Sequence, residues 1–151
     1  RDEESWKSVD MLVQMLIDTV SKGGNMLLNV GPTARGEFDD RALERLKGIG
    51  TWMKRHGRSI YGCTQAPDEY ICPRDCRYTY NPKTKTLYLH VFAWPFKHLF
   101  LDGMADKVEY AQLLNDASEI IMKKTDNNGL VLNLPVKKPN VTVPVIELFL
   151  K

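Results

Sequence analysis

The segment from residue 25 to residue 30, Asn-Met-Leu-Leu-Asn-Val, restricts the fold of this chain more than any other stretch. Its apolar residues follow one another without alternating with polar ones, which is typical of a strand that is covered on both faces in a parallel sheet. Gly23 and Gly24 precede the segment, and Gly31 and Pro32 follow it. Because a helical pattern lies on each side, the segment predicts one helix–strand–helix unit of an α/β fold, and one such unit does not make a domain.

Two amphipathic helices are predicted on either side of this strand. The first begins near Ser5 or Ser8 and ends at Gly23, with apolar residues at positions 9, 12, 13, 16, 17 and 20 on one face. The second repeats apolar residues at helical spacing and ends at Gly57, and these residues are Leu43, Leu46, Ile49, Trp52 and Met53. The first part of the chain therefore has an αβα order.

The pattern changes near residue 77. Seven short segments rich in β-branched and aromatic residues follow, separated by turns such as Asn-Pro-Lys-Thr-Lys and Asp-Asn-Asn-Gly. This number of short strands predicts an antiparallel β-sandwich. The linker, residues 63–76, carries two prolines and no clear period, so we place the domain boundary within it, near residue 66.

Composition excludes several classes of function. The net charge is only +2, and basic residues alternate with acidic ones. The sequence therefore lacks the clustered basic residues that are typical of nucleic-acid-binding proteins. No apolar run reaches the roughly 20 residues of a membrane helix, and the first ten residues lack the features of a signal peptide. No nucleotide-binding motif is found. The three cysteines have no fourth ligand in a zinc-type spacing, so we predict no metal and no cofactor.

Five stretches resemble the α-L-fucosidases of glycoside hydrolase family 29. They are Trp6–Ser8, residues 16–38 (LIDTVSKGGNMLLNVGPTARGEF), residues 43–62 (LERLKGIGTWMKRHGRSIYG), residues 86–95 (TLYLHVFAWP) and residues 140–151 (NVTVPVIELFLK). The first three are similar to the end of the catalytic (β/α) barrel, and the last two to the C-terminal β-sandwich. The resemblance thus spans nearly the whole chain.

This resemblance implies a fold and a location for the sugar pocket. The fold is of the α+β class, with residues 1–65 as an αβα remnant of a TIM-like barrel and residues 66–151 as the sandwich. Because active sites of such barrels lie at the carboxyl ends of the strands, Asn29, Gly31 and Pro32 are expected at the rim of the pocket. The parent enzyme is expected to act on fucosylated glycans and to be secreted, periplasmic or lysosomal, while no compartment follows for this chain itself.

The resemblance also implies that the catalytic groups are missing. Family members release terminal α-linked L-fucose with retention, which requires two carboxyl groups about 5 Å apart. Both lie N-terminal to the matched region, so no catalytic residue is assigned in this chain, and we predict that the chain alone is inactive. The acids that follow the predicted strand, Glu37, Asp39 and Asp40, are expected to cap a helix. Those of the linker, Asp68, Glu69 and Asp75, are expected to form solvated ion pairs with Arg74 and Arg77.

A second hypothesis is a non-catalytic carbohydrate-binding or interaction module. It depends on the aromatic residues of the sandwich, which are Tyr78, Tyr80, Tyr88, Phe92, Trp94 and Phe96. Core packing is the commoner use of such residues, and Trp94 is the candidate for stacking on a sugar. A purely structural domain that covers the flank of the barrel is a third alternative.

Three further features have weaker implications. His56 is expected to favour the negative end of its helix, and His90 to be an outward or partly buried sheet residue. Residues 140–142 form a glycosylation sequon, which matters only in a secreting eukaryote. Finally, a single strand with two helices leaves apolar surface and strand edges open. Either self-association through residues 9–53 or a local rearrangement of that segment is therefore predicted.

Overall fold

A computed structural model describes residues 6–28 and 34–151. Among the described residues, helix α1 (Val9–Ser21), helix α2 (Asp40–His56) and a 3₁₀ turn (Gly57–Ser59) come first. Seven strands follow, namely β1 (Cys76–Asn81), β2 (Thr86–Val91), β3 (His98–Leu101), β4 (Val108–Leu113), β5 (Ile121–Lys124), β6 (Leu130–Asn133) and β7 (Val145–Leu150), with a second 3₁₀ turn at Asp126–Asn128 between β5 and β6. Helices followed by antiparallel strands confirm the predicted α+β class.

The strands form two sheets that pack face to face. The four-stranded sheet has the order β1-β2-β7-β4, the three-stranded sheet has the order β3-β6-β5, and all their pairings are antiparallel. Alternate residues of each strand point into the space between the sheets. This core contains, among others, Leu87, Leu89, Leu101, Leu130, Leu132, Ile146 and Leu148. Each of the seven predicted segments is found as a strand.

The helices form a third layer on the outer face of the four-stranded sheet. A second apolar cluster contains Val13 and Ile17 of α1, Trp52 of α2, and Tyr88 and Val145 of the sheet. Strand β2 is buried along its whole length. Its odd-numbered side chains face the sandwich core, while Tyr88 and His90 face the helical layer. The outer face of the three-stranded sheet lacks such a cover in the described part of the chain, since His98 and Phe100 are exposed there.

Local signals explain where the helices begin and how closely they pack. The Ser8 hydroxyl caps α1 by accepting a hydrogen bond from the Met11 backbone N–H at 3.2 Å. Gly23 follows the helix with a φ of +81°, a conformation that glycine adopts without strain. Helix α2 approaches α1 at Gly48, where a Cβ atom would lie 2.5 Å from Val9 Cγ2. After α2, Gly57 stays right-handed and continues the chain into a 3₁₀ turn.

Of the strand predicted at residues 25–30, the structure describes residues 25–28, and these do not form a strand. Residues 25–28 form neither helix nor strand, and Leu27 is 85% exposed. Residues 29 and 30 lie outside the described residues. A parallel strand needs neighbouring strands to satisfy its backbone N–H and C=O groups, and residues 25–28 make no β-bridge. The boundary near residue 66 stays a prediction; Thr64 already forms an isolated antiparallel bridge with Tyr80 of β1.

Candidate functional site

The predicted pocket rim cannot be located in the structure. Asn29, Gly31 and Pro32 lie outside the described residues. On one side of them Leu28 is exposed, and on the other side the chain turns at Gly36, whose φ is +78°. The assignment of these three residues to a sugar pocket therefore stays a prediction.

Asp39 and Asp40, which follow the predicted strand, lie at the start of α2. The Asp39 carboxylate caps α2 by accepting the Arg41 backbone N–H at 2.8 Å, and it also pairs with the Arg41 guanidinium at 3.1 Å. These hydrogen bonds from Arg41 hold the pKa of Asp39 below its ordinary value. Asp40 occupies the first turn of the helix. The predicted capping role is confirmed for Asp39, whose carboxylate therefore has a structural partner.

The linker acids are not paired with Arg77. The Arg77 guanidinium instead donates to Asp18 of α1 at 2.8 Å and lies 5.2 Å from the centre of the Phe92 ring. The expected ion pair between Arg77 and a linker acid is thus wrong, because α1 packs on β1 and brings Asp18 closer. Asp68 accepts a hydrogen bond from Gln65 at 3.3 Å. The Arg77–Asp18 pair attaches the first helix to the edge of the sandwich.

Glu147 is the one buried carboxylate of the described residues, being 3% exposed. Both of its oxygens accept hydrogen bonds from Arg58, at 3.0 and 3.1 Å, and Gln112 donates to it at 2.7 Å. These contacts link the 3₁₀ turn after α2 to the central strand β7. A carboxylate engaged in this way stabilises the native packing and is not free to act as a nucleophile or as an acid.

Trp94, the candidate for stacking on a sugar, follows β2 and is partly buried. Its indole N–H donates to the Pro135 carbonyl at 3.0 Å, and its ring packs against the sandwich core. One part of the ring is therefore used for packing, while the rest is accessible. Its role in binding stays a prediction.

Two histidines are buried between α2 and the sheet. The Trp52 and His56 rings stack with centroids 5.0 Å apart, and the His90 ring lies 6.4 Å from Trp52. His90 Nδ1 is 3.1 Å from the Arg77 carbonyl, so this nitrogen carries the proton, and Nε2 is 2.9 Å from the Ser59 hydroxyl. That hydroxyl is also 2.8 Å from the His56 carbonyl, so its single proton has two acceptors.

Burial determines the charge of both rings. It lowers the pKa of His90 to about 4, and it also lowers the pKa of His56. Both rings are thus neutral at pH 7. His56 lies in the last turn of α2 as a neutral ring, and its Nδ1 donates to the Trp52 carbonyl near the negative end of the helix at 3.0 Å. The expectation that His90 is outward or partly buried is wrong, because the helical layer covers that face of β2.

The sequence contains one signal for this covered face. The residues of β2 that alternate with the core leucines are Thr86, Tyr88 and His90, and none of them carries a permanent charge. A solvent-facing strand usually carries charged side chains there. The absence of charge indicates that both faces of the strand are buried.

The described residues contain no cluster of metal-ligating side chains, and their cysteines are free thiols. No group of three or more His, Cys, Asp or Glu side chains in residues 6–28 and 34–151 could hold a metal ion. Burial raises the pKa of Cys63 and Cys72 to about 11 and that of Cys76 to about 12, so these free thiols are protonated at pH 7 and are poor nucleophiles. Neither α-helix in the same residues has the length and apolar character needed to cross a bilayer.

Comparisons with known proteins give a consistent result. The family model described as Alpha-L-fucosidase matches residues 1–58. The chain is 34% identical to the plasma alpha-L-fucosidase of Rattus norvegicus over 134 residues. The aligned region covers 85% of this chain and 29% of that protein. It is 32% identical to the plasma alpha-L-fucosidase of Homo sapiens, with 85% and 28% covered.

Solved structures extend the similarity to the three-dimensional fold. Alpha-L-fucosidase isoenzyme 1 from Paenibacillus thiaminolyticus superimposes with a TM-score of 0.87 and 36% identity, over 97% of this chain and 35% of that one. A family 29 alpha-L-fucosidase from Bacteroides thetaiotaomicron gives a TM-score of 0.86 at 29% identity, over 96% and 32%. The chain spans about a third of the length of the proteins it matches.

Proposed function

The chain belongs to the α-L-fucosidase family, and from this premise we propose that it is the C-terminal portion of a retaining enzyme that hydrolyses terminal α-linked L-fucose. The observation that carries the proposal is the superposition of nearly the whole chain on about a third of an α-L-fucosidase of known structure. We further propose that Asn29, Gly31 and Pro32 contribute to the rim of the fucose pocket in the parent enzyme, and that fucosylated glycans are its substrates.

The proposed chemistry proceeds through a covalent fucosyl-enzyme intermediate. A related structure from Bacteroides thetaiotaomicron is described as a trapped covalent intermediate formed with 2-fluoro-fucosyl fluoride, which supports a retaining mechanism. Such a mechanism needs a nucleophilic carboxylate and a second carboxyl group that first donates and then accepts a proton. In the proposal, both groups are supplied by sequence N-terminal to this chain.

By itself the chain is proposed to be inactive. In the described residues, the Asp39 carboxylate caps a helix and Glu147 is held by Arg58 and Gln112, which supports this proposal. The direct test is hydrolysis of an aryl α-L-fucoside by the purified chain, for which we expect no turnover.

The alternative function is a carbohydrate-binding module that uses Trp94. Its partial exposure is the observation that favours it, and the hydrogen bond to Pro135 and the packing on the core argue for a structural role. If Trp94 is structural, Trp94→Ala lowers stability, and calorimetric titration shows no affinity for fucosylated oligosaccharides in either the unmodified chain or the variant. A measurable affinity for fucose that Trp94→Ala abolishes, while Trp94→Phe keeps it, would instead establish the module.

We propose that the exposed apolar surface of residues 9–53 leads to self-association or, as the alternative, to a local rearrangement of that segment. Met11 is 52% exposed, and Met15, Leu27, Phe38 and Leu43 are also exposed on this part of the chain. Burying these side chains between two copies would remove apolar area from water. We expect light scattering to show a dimer or larger species at high concentration, and the double variant Met11→Lys, Met15→Lys to shift it towards the monomer. Ile121→Lys, at an exposed site on β5, is the matched control, and a monomer at all concentrations contradicts self-association.

A further inference from the structure

The loop between β6 and β7 contains an Asn-x-Thr sequence. Asn140 and Thr142 have the spacing that an oligosaccharide transferase requires of its acceptor, and the residue between them is Val141, not proline. No other asparagine of the sequence is followed by Ser or Thr two positions later. The sequence therefore offers one candidate site for N-linked glycosylation.

The structure leaves both side chains of this sequon accessible. Asn140 is exposed, and its amide forms no hydrogen bond with another described residue. Thr142 is partly buried, but its hydroxyl is not one of the buried polar atoms that lack a partner among the described residues. Since no described residue binds this hydroxyl, it reaches solvent. A glycan is bulky and requires a surface position, and Asn140 meets that requirement.

The backbone around Asn140 belongs to neither strand. The loop comprises residues 134–144, and within it the Val141 N–H donates to the Pro139 carbonyl at 2.8 Å, which places Asn140 at the centre of a tight turn. The N–H groups of residues 136–138 and 140 form no backbone hydrogen bond within the described part of the chain. A bulky group attached at this turn therefore displaces no helix and no strand.

We propose that Asn140 is a site of N-linked glycosylation when the chain passes through a eukaryotic secretory pathway. The donor is an oligosaccharide carried on a polyprenyl diphosphate. The Asn140 Nδ2 atom forms a bond with the anomeric carbon of the donor sugar, and the bond from that carbon to the diphosphate oxygen breaks. Nδ2 loses one proton and the diphosphate leaves, so no oxidant or reductant takes part. The site is independent of the proposed hydrolase activity, since it needs no catalytic carboxylate.

The glycan shields a neighbouring peptide bond from proteases. Lys137 and Lys138 are exposed and precede Asn140 in the same loop. Exposed loops are the preferred sites of proteolytic cleavage, and a loop with few backbone hydrogen bonds enters a protease most readily. Trypsin-like proteases cleave after basic residues, so the Lys137–Lys138 bond is open to them, while Pro139 prevents cleavage after Lys138. A glycan on Asn140 occupies the space beside the open bond and excludes the protease.

The attachment is tested by secreting the whole chain from a mammalian cell line behind a cleavable signal peptide. We expect the secreted chain to lose mass on treatment with peptide N-glycosidase, and peptide mapping to place the glycan on Asn140. Asn140→Gln and Thr142→Ala are each expected to abolish the mass loss, whereas Thr142→Ser keeps it, because serine retains the hydroxyl. Asn133→Gln, at an exposed asparagine outside a sequon, is the matched control and keeps the glycan.

Limited digestion with trypsin tests the shielding. We expect cleavage of the Lys137–Lys138 bond to be severalfold slower in the glycosylated chain than in the same chain after enzymatic release of the glycan. The Lys83–Thr84 bond is the matched bond, because it lies in an exposed turn at the opposite end of β2 and β7, where the glycan leaves the rate unchanged.

Three outcomes would overturn the assigned site. They are a secreted chain without a glycan, a glycan that persists in Asn140→Gln, and a glycan found only on chain that the cells retain in aggregates. Equal cleavage of the Lys137–Lys138 bond with and without the glycan would overturn the shielding. None of these results bears on the release of fucose, so failure here is distinguishable from failure of the proposed function.

Discussion

Trp52→Ala is expected to lower the free energy of unfolding by about 3–5 kcal/mol, the range typical of removing a buried tryptophan. Trp52 is the main contact of α2 with the sheet: its ring packs with Tyr88 and Val145 and stacks on His56. Its indole N–H donates to the Val143 carbonyl at 2.9 Å. The change leaves a cavity and an unpaired carbonyl between the helical layer and the sandwich.

Chemical denaturation followed by circular dichroism measures this loss. Trp52→Phe is the matched variant, because it keeps an aromatic ring and removes the hydrogen bond to Val143, for which we expect a smaller loss of about 1–3 kcal/mol. One cooperative transition is expected for the unmodified chain, since α1, α2 and the sheet share one apolar cluster. A loss below about 1 kcal/mol for Trp52→Ala would show that the helices do not depend on this contact.

Acidification from pH 7 to pH 4 is expected to destabilise the chain by an amount on the order of 3 kcal/mol through His90 alone. Burial lowers the pKa of His90 to about 4, while an unfolded histidine has a pKa near 6.5. Between these two values the unfolded state binds more protons than the native state. Stability therefore falls as the pH falls through this window, and the lowered pKa of His56 acts in the same direction.

The pH dependence of the free energy of unfolding, measured at several pH values between 7 and 4, checks this prediction. His90→Gln is expected to reduce the slope in this window, whatever it does to stability at pH 7. His98→Gln, which removes an exposed histidine of β3, is the matched control. Asp18 has a pKa lowered by Arg77 and Lys22 and acts at lower pH, below the unfolded value of 3.8. An unchanged slope in His90→Gln would contradict the assignment.

Most of the sandwich could be predicted because its signals are local. Each of the seven strands has its own β-branched and aromatic residues and is bounded by turn residues, and these features depend on few other parts of the chain. The start of each helix could be predicted from an equally local signal, since Ser8 and Asp39 cap the helices that they precede.

The layer arrangement could not be read from such local patterns. The alternation in β2 shows that Leu87 and Leu89 share one face, but it does not say what covers Tyr88 and His90 on the other. That cover comes from Trp52, more than 30 positions earlier in the chain. The apolar pattern of residues 25–30 likewise indicates a strand that lies inside a sheet, with a neighbouring strand on each side. The pattern does not reveal whether those neighbouring strands belong to the same 151 residues.

The central proposal is that this chain is the C-terminal part of an α-L-fucosidase whose catalytic carboxyl groups lie N-terminal to it. Release of nitrophenol from 4-nitrophenyl α-L-fucopyranoside by the purified chain tests it most directly, with a full-length α-L-fucosidase as the positive control. The predicted result is a rate equal to that of the buffer alone. Hydrolysis that co-purifies with the chain, and persists in a preparation from a host without fucosidase activity, would contradict the claim.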